Sequence, residues 1–83
     1  MEYQLRIKPS VKKELARLPK QDRQRIIAAF YGLSRNPFIG KKLRGELRDY
    51  YSLRVWPYRI IYQLYKKELL IIVIKVGYRQ GVY

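Results

Sequence analysis

Cysteine and histidine are both absent from this 83-residue chain, and only six residues are acidic. Each shortage removes a class of chemistry. Without cysteine there is no disulfide framework and no thiolate nucleophile. Without histidine there is no imidazole to serve as base or metal ligand near neutral pH. Zinc sites draw on these two residue types, so composition leaves almost no room for one. A hard cation or a carboxylate pair would have to be built from Glu2, Glu14, Asp22, Glu46, Asp49 and Glu68. These are scattered, and Glu46 with Asp49 is the nearest approach to a cluster. Long apolar runs are missing too. Leu69 to Ile74 is far too short to span a bilayer. The opening Met1-Glu2-Tyr3-Gln4 lacks the basic-then-apolar pattern of a secretory signal, so a cytoplasmic protein without membrane attachment is expected.

What is present is positive charge and tyrosine. Nineteen Lys and Arg give a net charge of +13, and nine residues are Tyr. Such an excess on a small chain points to a polyanionic partner: RNA, DNA, an anionic membrane or an acidic protein. The length allows one domain, residues 1–83, with a small core. A disordered basic arm is excluded because 48% of residues are hydrophobic and regularly spaced.

The spacing predicts an α+β domain in the order β-α-α-β-β-β. Tyr3, Leu5 and Ile7 alternate with Gln4 and Arg6 as in a half-buried strand. Pro9-Ser10 opens a helix, with Ser10 as the expected N-cap and Glu14 in its first turns. Val11, Leu15 and Leu18 form its apolar stripe, and Pro19 stops it. A second helix is expected from Asp22, with Ile26, Ile27, Phe30 and Leu33 on one face, closed at Asn36-Pro37. Residues 38–46 read as a loop. Strands are expected over 47–55, 58–65 and 69–76, with turns at Trp56-Pro57 and Lys66-Lys67-Glu68. The result is an antiparallel meander plus an N-terminal strand, with a helical hairpin on one face.

The other sheet face then has no third layer. Alternation puts Ser52 and Arg54 there, and Arg59 falls beside Arg54 if the hairpin pairs across Trp56-Pro57. Lys41, Lys42, Arg44 and Arg48 approach from the loop, and the last strand ends near Arg79. Guanidinium groups bind phosphate oxygens bidentately and stay charged. Tyr50, Tyr51, Tyr58, Tyr78 and Tyr83 interleave with them, as flat faces for unpaired bases. Tyr62 and Tyr65 read as strand packing instead.

Taken in order, these segments resemble one family. Pro9-Ser10-Val11-Lys12-Lys13-Glu14-Leu15 through Leu18-Pro19, then Asn36-Pro37 and Gly40-Lys41-Lys42-Leu43-Arg44-Gly45, are similar to the first half of RelE/ParE-superfamily toxins. Tyr51-Ser52-Leu53-Arg54-Val55, Tyr58-Arg59-Ile60-Ile61-Tyr62 and Val76-Gly77-Tyr78-Arg79 with Val82-Tyr83 resemble the second half, in the RelE-like branch. The resemblance implies the toxin of a toxin–antitoxin pair, a metal-independent endoribonuclease that cuts mRNA in the ribosomal A site. It needs no cofactor, and its partners are mRNA, the ribosome and an acidic RelB-like antitoxin. By the resemblance Arg54, Arg59, Arg79 and Tyr83 are catalytic; Lys41, Lys42, Arg44, Arg48, Ser52 and Lys75 are the residues expected to contact RNA. Many relatives carry a basic residue where this chain has Ser52, which leaves the proton acceptor to Arg54 through water, Lys75 or Tyr83. Two other functions stay open: a ParE-like inhibitor of DNA gyrase and a non-catalytic RNA-binding module.

Overall fold

The computed structural model describes residues 2–45 and 49–78. The chain begins with β1 (Gln4–Ile7), followed by α1 (Pro9–Ala16) and α2 (Lys20–Arg35). Four further strands follow: β2 (Lys41–Lys42), β3 (Tyr50–Val55), β4 (Tyr58–Tyr65) and β5 (Leu70–Tyr78). They form one five-stranded sheet in the order β1-β5-β4-β3-β2. The expected meander is β3-β4-β5, antiparallel throughout, and β1 joins its far edge parallel to β5. The small α+β architecture and the two helices before the meander agree with the sequence reading.

Several boundaries differ for identifiable reasons. Pro9 takes the first position of α1, where its missing N–H is not needed, so the cap is Lys8 and Ser10 lies inside the helix. α1 ends at Ala16, and its last turn tightens as the Arg17 and Leu18 amides donate to the Glu14 and Leu15 carbonyls. α2 starts at Lys20, earlier than expected, with Pro19 as cap and Asp22 in its first turn. Leu69, expected in the last strand, belongs to the preceding turn with φ of 51°. β5 runs past Gly77 to Tyr78. The expected loop over 38–46 contains β2, which makes the sheet five-stranded rather than four-stranded. The expected start of β3 at Leu47 lies outside the described residues.

The core lies between the helices and one sheet face. Val11 and Leu15 of α1 and Ile26, Phe30 and Leu33 of α2 pack with Tyr51, Tyr58, Ile60, Tyr62, Ile71, Val73 and Val76. Strict alternation along β5 would not allow Ile71, Val73 and Val76 to share a face. A bulge resolves this: Ile61 pairs with Lys75 but Tyr62 with Val73, so Ile74 is the extra residue. Beyond it, Lys75 and Gly77 face away from the helices.

Tyr62 is the centre of this core and is fully buried. Its hydroxyl donates to the Pro37 carbonyl at 2.7 Å and accepts from the Gly40 amide at 3.1 Å. Its ring stacks on Tyr51 at 5.4 Å. The Gly40 backbone therefore presses on the phenol, and an added Cβ would collide with the Tyr62 hydroxyl and stand 3.0 Å from the Ser52 carbonyl oxygen. At the other end, the Tyr58 hydroxyl donates to Asp22 at 2.7 Å and Arg25 donates to the Trp56 carbonyl at 2.6 Å. Arg25 is thus a tether for the hairpin tip.

Two outcomes follow from Tyr62. Gly40→Ala should lower stability by about 1–3 kcal/mol, the usual cost of overpacking, measured as a reduced urea midpoint with unchanged m-value. Burial pushes the Tyr62 phenol up to about 12, against an ordinary value near 10. The neutral phenol therefore stabilises the fold fully below pH ~10, and this contribution is lost as pH rises through ~12. Tyr58 shifts in the same direction because its hydroxyl is held by Asp22 and buried. Alkaline unfolding should consequently steepen above pH ~10, and Tyr62→Phe should flatten that limb while lowering stability at neutral pH.

Candidate active site

The β3–β4 hairpin builds the site. Val55 pairs with Tyr58 across the Trp56-Pro57 turn, which sets Arg54 directly opposite Arg59. Residues opposite one another in an antiparallel pair share a face with Cβ atoms about 5 Å apart. Like charges so placed are destabilising. Arg54 is exposed and Arg59 half-buried, both on the face turned from the helices. Gly77 of β5 stands opposite Arg59 and adds no side chain to that row.

The next row contains Lys41, Ser52, Ile61 and Lys75, linked by the pairings Lys41 with Ser52, Ser52 with Ile61, and Ile61 with Lys75. The two rows meet over a shallow cavity of about 360 Å³ lined by Ile39, Lys41, Leu43, Ser52, Leu53, Arg54 and Arg59. Three cations thus converge on one hollow. Ser52 is not the exposed residue that alternation suggested: it is 6% exposed, because β2 lies alongside it. Its Oγ has no hydrogen-bond partner among the described residues. A buried hydroxyl without a partner costs about 1–3 kcal/mol, so a ligand oxygen at this point would be favourable.

Of the other residues singled out, Lys75 is exposed at the far end of the same row. Lys42 pairs with Tyr51 and faces the opposite side of the sheet, lining a separate hollow with Lys66, Lys67 and Tyr65. Arg44 is exposed beyond β2 and does not line the cavity. Arg48, Arg79 and Tyr83 lie outside the described residues. Tyr51 and Tyr58 are core residues, not base platforms. Tyr78 is 57% exposed, edge-on to Tyr58 at 5.6 Å, and Tyr50 is half-buried. Among the described residues no group of three His, Cys, Asp or Glu comes together as a metal site.

The cavity walls Ile39 and Leu43 escaped sequence reasoning. The signal was present: Ile39, Lys41 and Leu43 alternate with period two, but over too few residues to stand out from a glycine-flanked loop. The arrangement is chemically suited to an oxyanion. Two guanidinium forks and an ammonium supply charge-assisted donors, and a hydroxyl supplies a neutral one.

Comparison with known proteins identifies the family. Residues 5–83 match the family of ParE toxins of the type II toxin–antitoxin system parDE. The chain is 31% identical to Toxin RelG of Mycobacterium tuberculosis, over 100% of this chain and 98% of that protein. It is 34% identical to a RelE-like toxin protein of Escherichia coli, over 96% of this chain and 86% of that one. Its fold superposes with a TM-score of 0.88 on a chain of the RelBE2 toxin–antitoxin complex of M. tuberculosis, at 27% identity, covering 95% of this chain and all of the other. A family match over nearly the full length, with RelE-type relatives in both sequence and fold, makes this chain a toxin of a toxin–antitoxin system, a member of the RelE/ParE superfamily in its RelE-like branch.

Proposed function

We propose that the toxin is a ribosome-dependent endoribonuclease that cuts mRNA in the A site and so stops translation. The observation that carries this reading is the facing pair Arg54 and Arg59, held on the uncovered sheet face beside Lys41 and Ser52. Two guanidinium forks on facing positions can bond the oxygens of one phosphate together. The reaction needs no group that the composition lacks. The ribose 2′-hydroxyl attacks the adjacent phosphorus, a pentacoordinate phosphorane forms, and the bond to the 5′-oxygen breaks. The products are a 2′,3′-cyclic phosphate and a 5′-hydroxyl end.

In this scheme Arg54 and Arg59 hold the scissile phosphate and stabilise the charge that develops on its oxygens. Arg79 adds to that stabilisation or protonates the leaving oxygen, and Tyr83 orients the substrate. Lys41, Ser52 and Lys75 contact RNA along the neighbouring row, and Lys42, Arg44 and Arg48 extend the basic surface toward ribosomal RNA. The same +13 charge fits an acidic RelB-like antitoxin as the partner that keeps the toxin inactive. A relative of the same fold is known in a toxin–antitoxin complex, which supports this assignment. No helix among the described residues is long and apolar enough to cross a membrane, in keeping with a cytoplasmic site of action.

The family model carries the ParE name, which favours inhibition of DNA gyrase as a second reading. One assay pair separates the two. In vitro translation followed by primer extension should reveal codon-positioned cuts, reduced about 10²–10³-fold by Arg54→Ala or Arg59→Ala. Absence of cuts, together with inhibited gyrase supercoiling, would transfer the protein to the second reading.

A further inference from the structure

The chemistry proposed above requires a group that accepts the proton of the attacking 2′-hydroxyl. The cavity beside Arg54 narrows the choice. Tyr83 lies outside the described residues; among those described, the lining is Ile39, Lys41, Leu43, Ser52, Leu53, Arg54 and Arg59. Three are aliphatic. The two guanidinium groups are already protonated and have no acceptor electron pair, so they do not serve as bases. A serine hydroxyl is a weak acceptor and needs a base of its own. The ε-amino group of Lys41 is the remaining nitrogen, and an amine, unlike a guanidinium, can serve as a proton acceptor.

Position supports the same residue. Lys41 lies directly across the ladder from Ser52, on the face that carries Arg54 and Arg59. It is exposed, so its long stem is not committed to the core. Ser52 is nine-tenths buried, lines the same cavity, and has a hydroxyl with no partner among the described residues. Such a group is positioned to hold a ligand hydroxyl by hydrogen bonding. Lys75 occupies the opposite end of the row, with Ile61 between it and Ser52, and does not line the cavity.

Resting on the endoribonuclease reading, we propose that Lys41 is the general base of the reaction and that Ser52 holds the 2′-hydroxyl for it. The step runs through the deprotonated form of Lys41, whose Nζ then has a free electron pair. The 2′ O–H bond breaks and its proton passes to Lys41 Nζ, while the 2′-oxygen bonds to phosphorus. The phosphorus bond to the 5′-oxygen then breaks, and that oxygen takes a proton from water. The hydroxide so formed removes the proton from the Lys41 ammonium, which restores the amine. The catalytic charge from Arg54 and Arg59 stays constant throughout.

The test uses the full chain on ribosomes carrying a defined mRNA, with single-turnover cleavage followed against pH. Lys41→Arg keeps the positive charge and removes the base. The expected result is an RNA affinity within threefold of the parent and a cleavage rate lower by about 10²–10⁴-fold, the range for loss of a general base. The rise of rate with pH seen in the parent should vanish in this variant. In Lys41→Ala, added ethylamine should restore part of the rate in proportion to the free-amine concentration. A Lys41→Arg variant that cleaves within threefold of the parent with the same pH profile overturns the proposal. So does a loss that resides wholly in RNA affinity, or an absence of amine rescue. Because Lys41 is exposed on an edge strand, an unchanged thermal midpoint verifies that both variants fold. If the parent protein cuts no mRNA, the endoribonuclease reading itself fails, which is a separate outcome.

Discussion

The Tyr62 hydroxyl is the contact on which the site depends. It is buried in the middle of the sheet, yet it reaches the segment that follows α2, accepting from Gly40 and donating to Pro37. A phenol so placed must find partners, since an unpaired polar group in the core costs about 1–3 kcal/mol. It finds them in a stretch with no regular structure of its own. The consequence is positional. Gly40 is fixed against the tyrosine and the Ser52 backbone, and Lys41, the next residue, is thereby laid along β3 opposite Ser52. A core hydrogen bond thus determines which cation borders the cavity.

A second constraint acts from the other end of the hairpin. The start of α2 holds the β3–β4 turn through Asp22 to Tyr58 and Arg25 to the Trp56 carbonyl. Arg54 and Arg59 lie one pair in from this turn. Their guanidinium groups stand on facing positions there, where a phosphate entering the hollow would meet both. The helices contribute no lining residue to the cavity; their part is to hold rigid the strands that carry it.

The sequence showed most of this architecture where periodicity was long enough to read. The stripes Val11-Leu15 and Ile26-Phe30-Leu33 identified the inward helix faces, and counting across Trp56-Pro57 brought Arg54 to Arg59. Shorter features were hidden. β2 has two residues and no periodic signal, so Lys41 and Lys42 looked equivalent although they face opposite sides of the sheet. The bulge at Ile74 shifts the alternation of β5, and nothing in an apolar run announces such a shift. Ser52 read as an open-face polar residue, but its burial depends on β2 and was therefore invisible with it. Tyr51 and Tyr58 resembled base-stacking residues because their core role is set by partners distant in sequence, Tyr62 and Asp22.

The central claim is that the hollow between β2 and the β3–β4 hairpin binds a phosphodiester. Side-chain ¹⁵N NMR, with Arg Nε and Lys Nζ resonances followed during titration with a 2′-O-methyl RNA that cannot be cleaved, addresses it directly. The account predicts that Arg54, Arg59 and Lys41 shift together along one binding curve, while Arg23 and Arg35 on α2 stay still at moderate salt. Shifts confined to the helical arginines, with Arg54 and Arg59 unmoved, would contradict it.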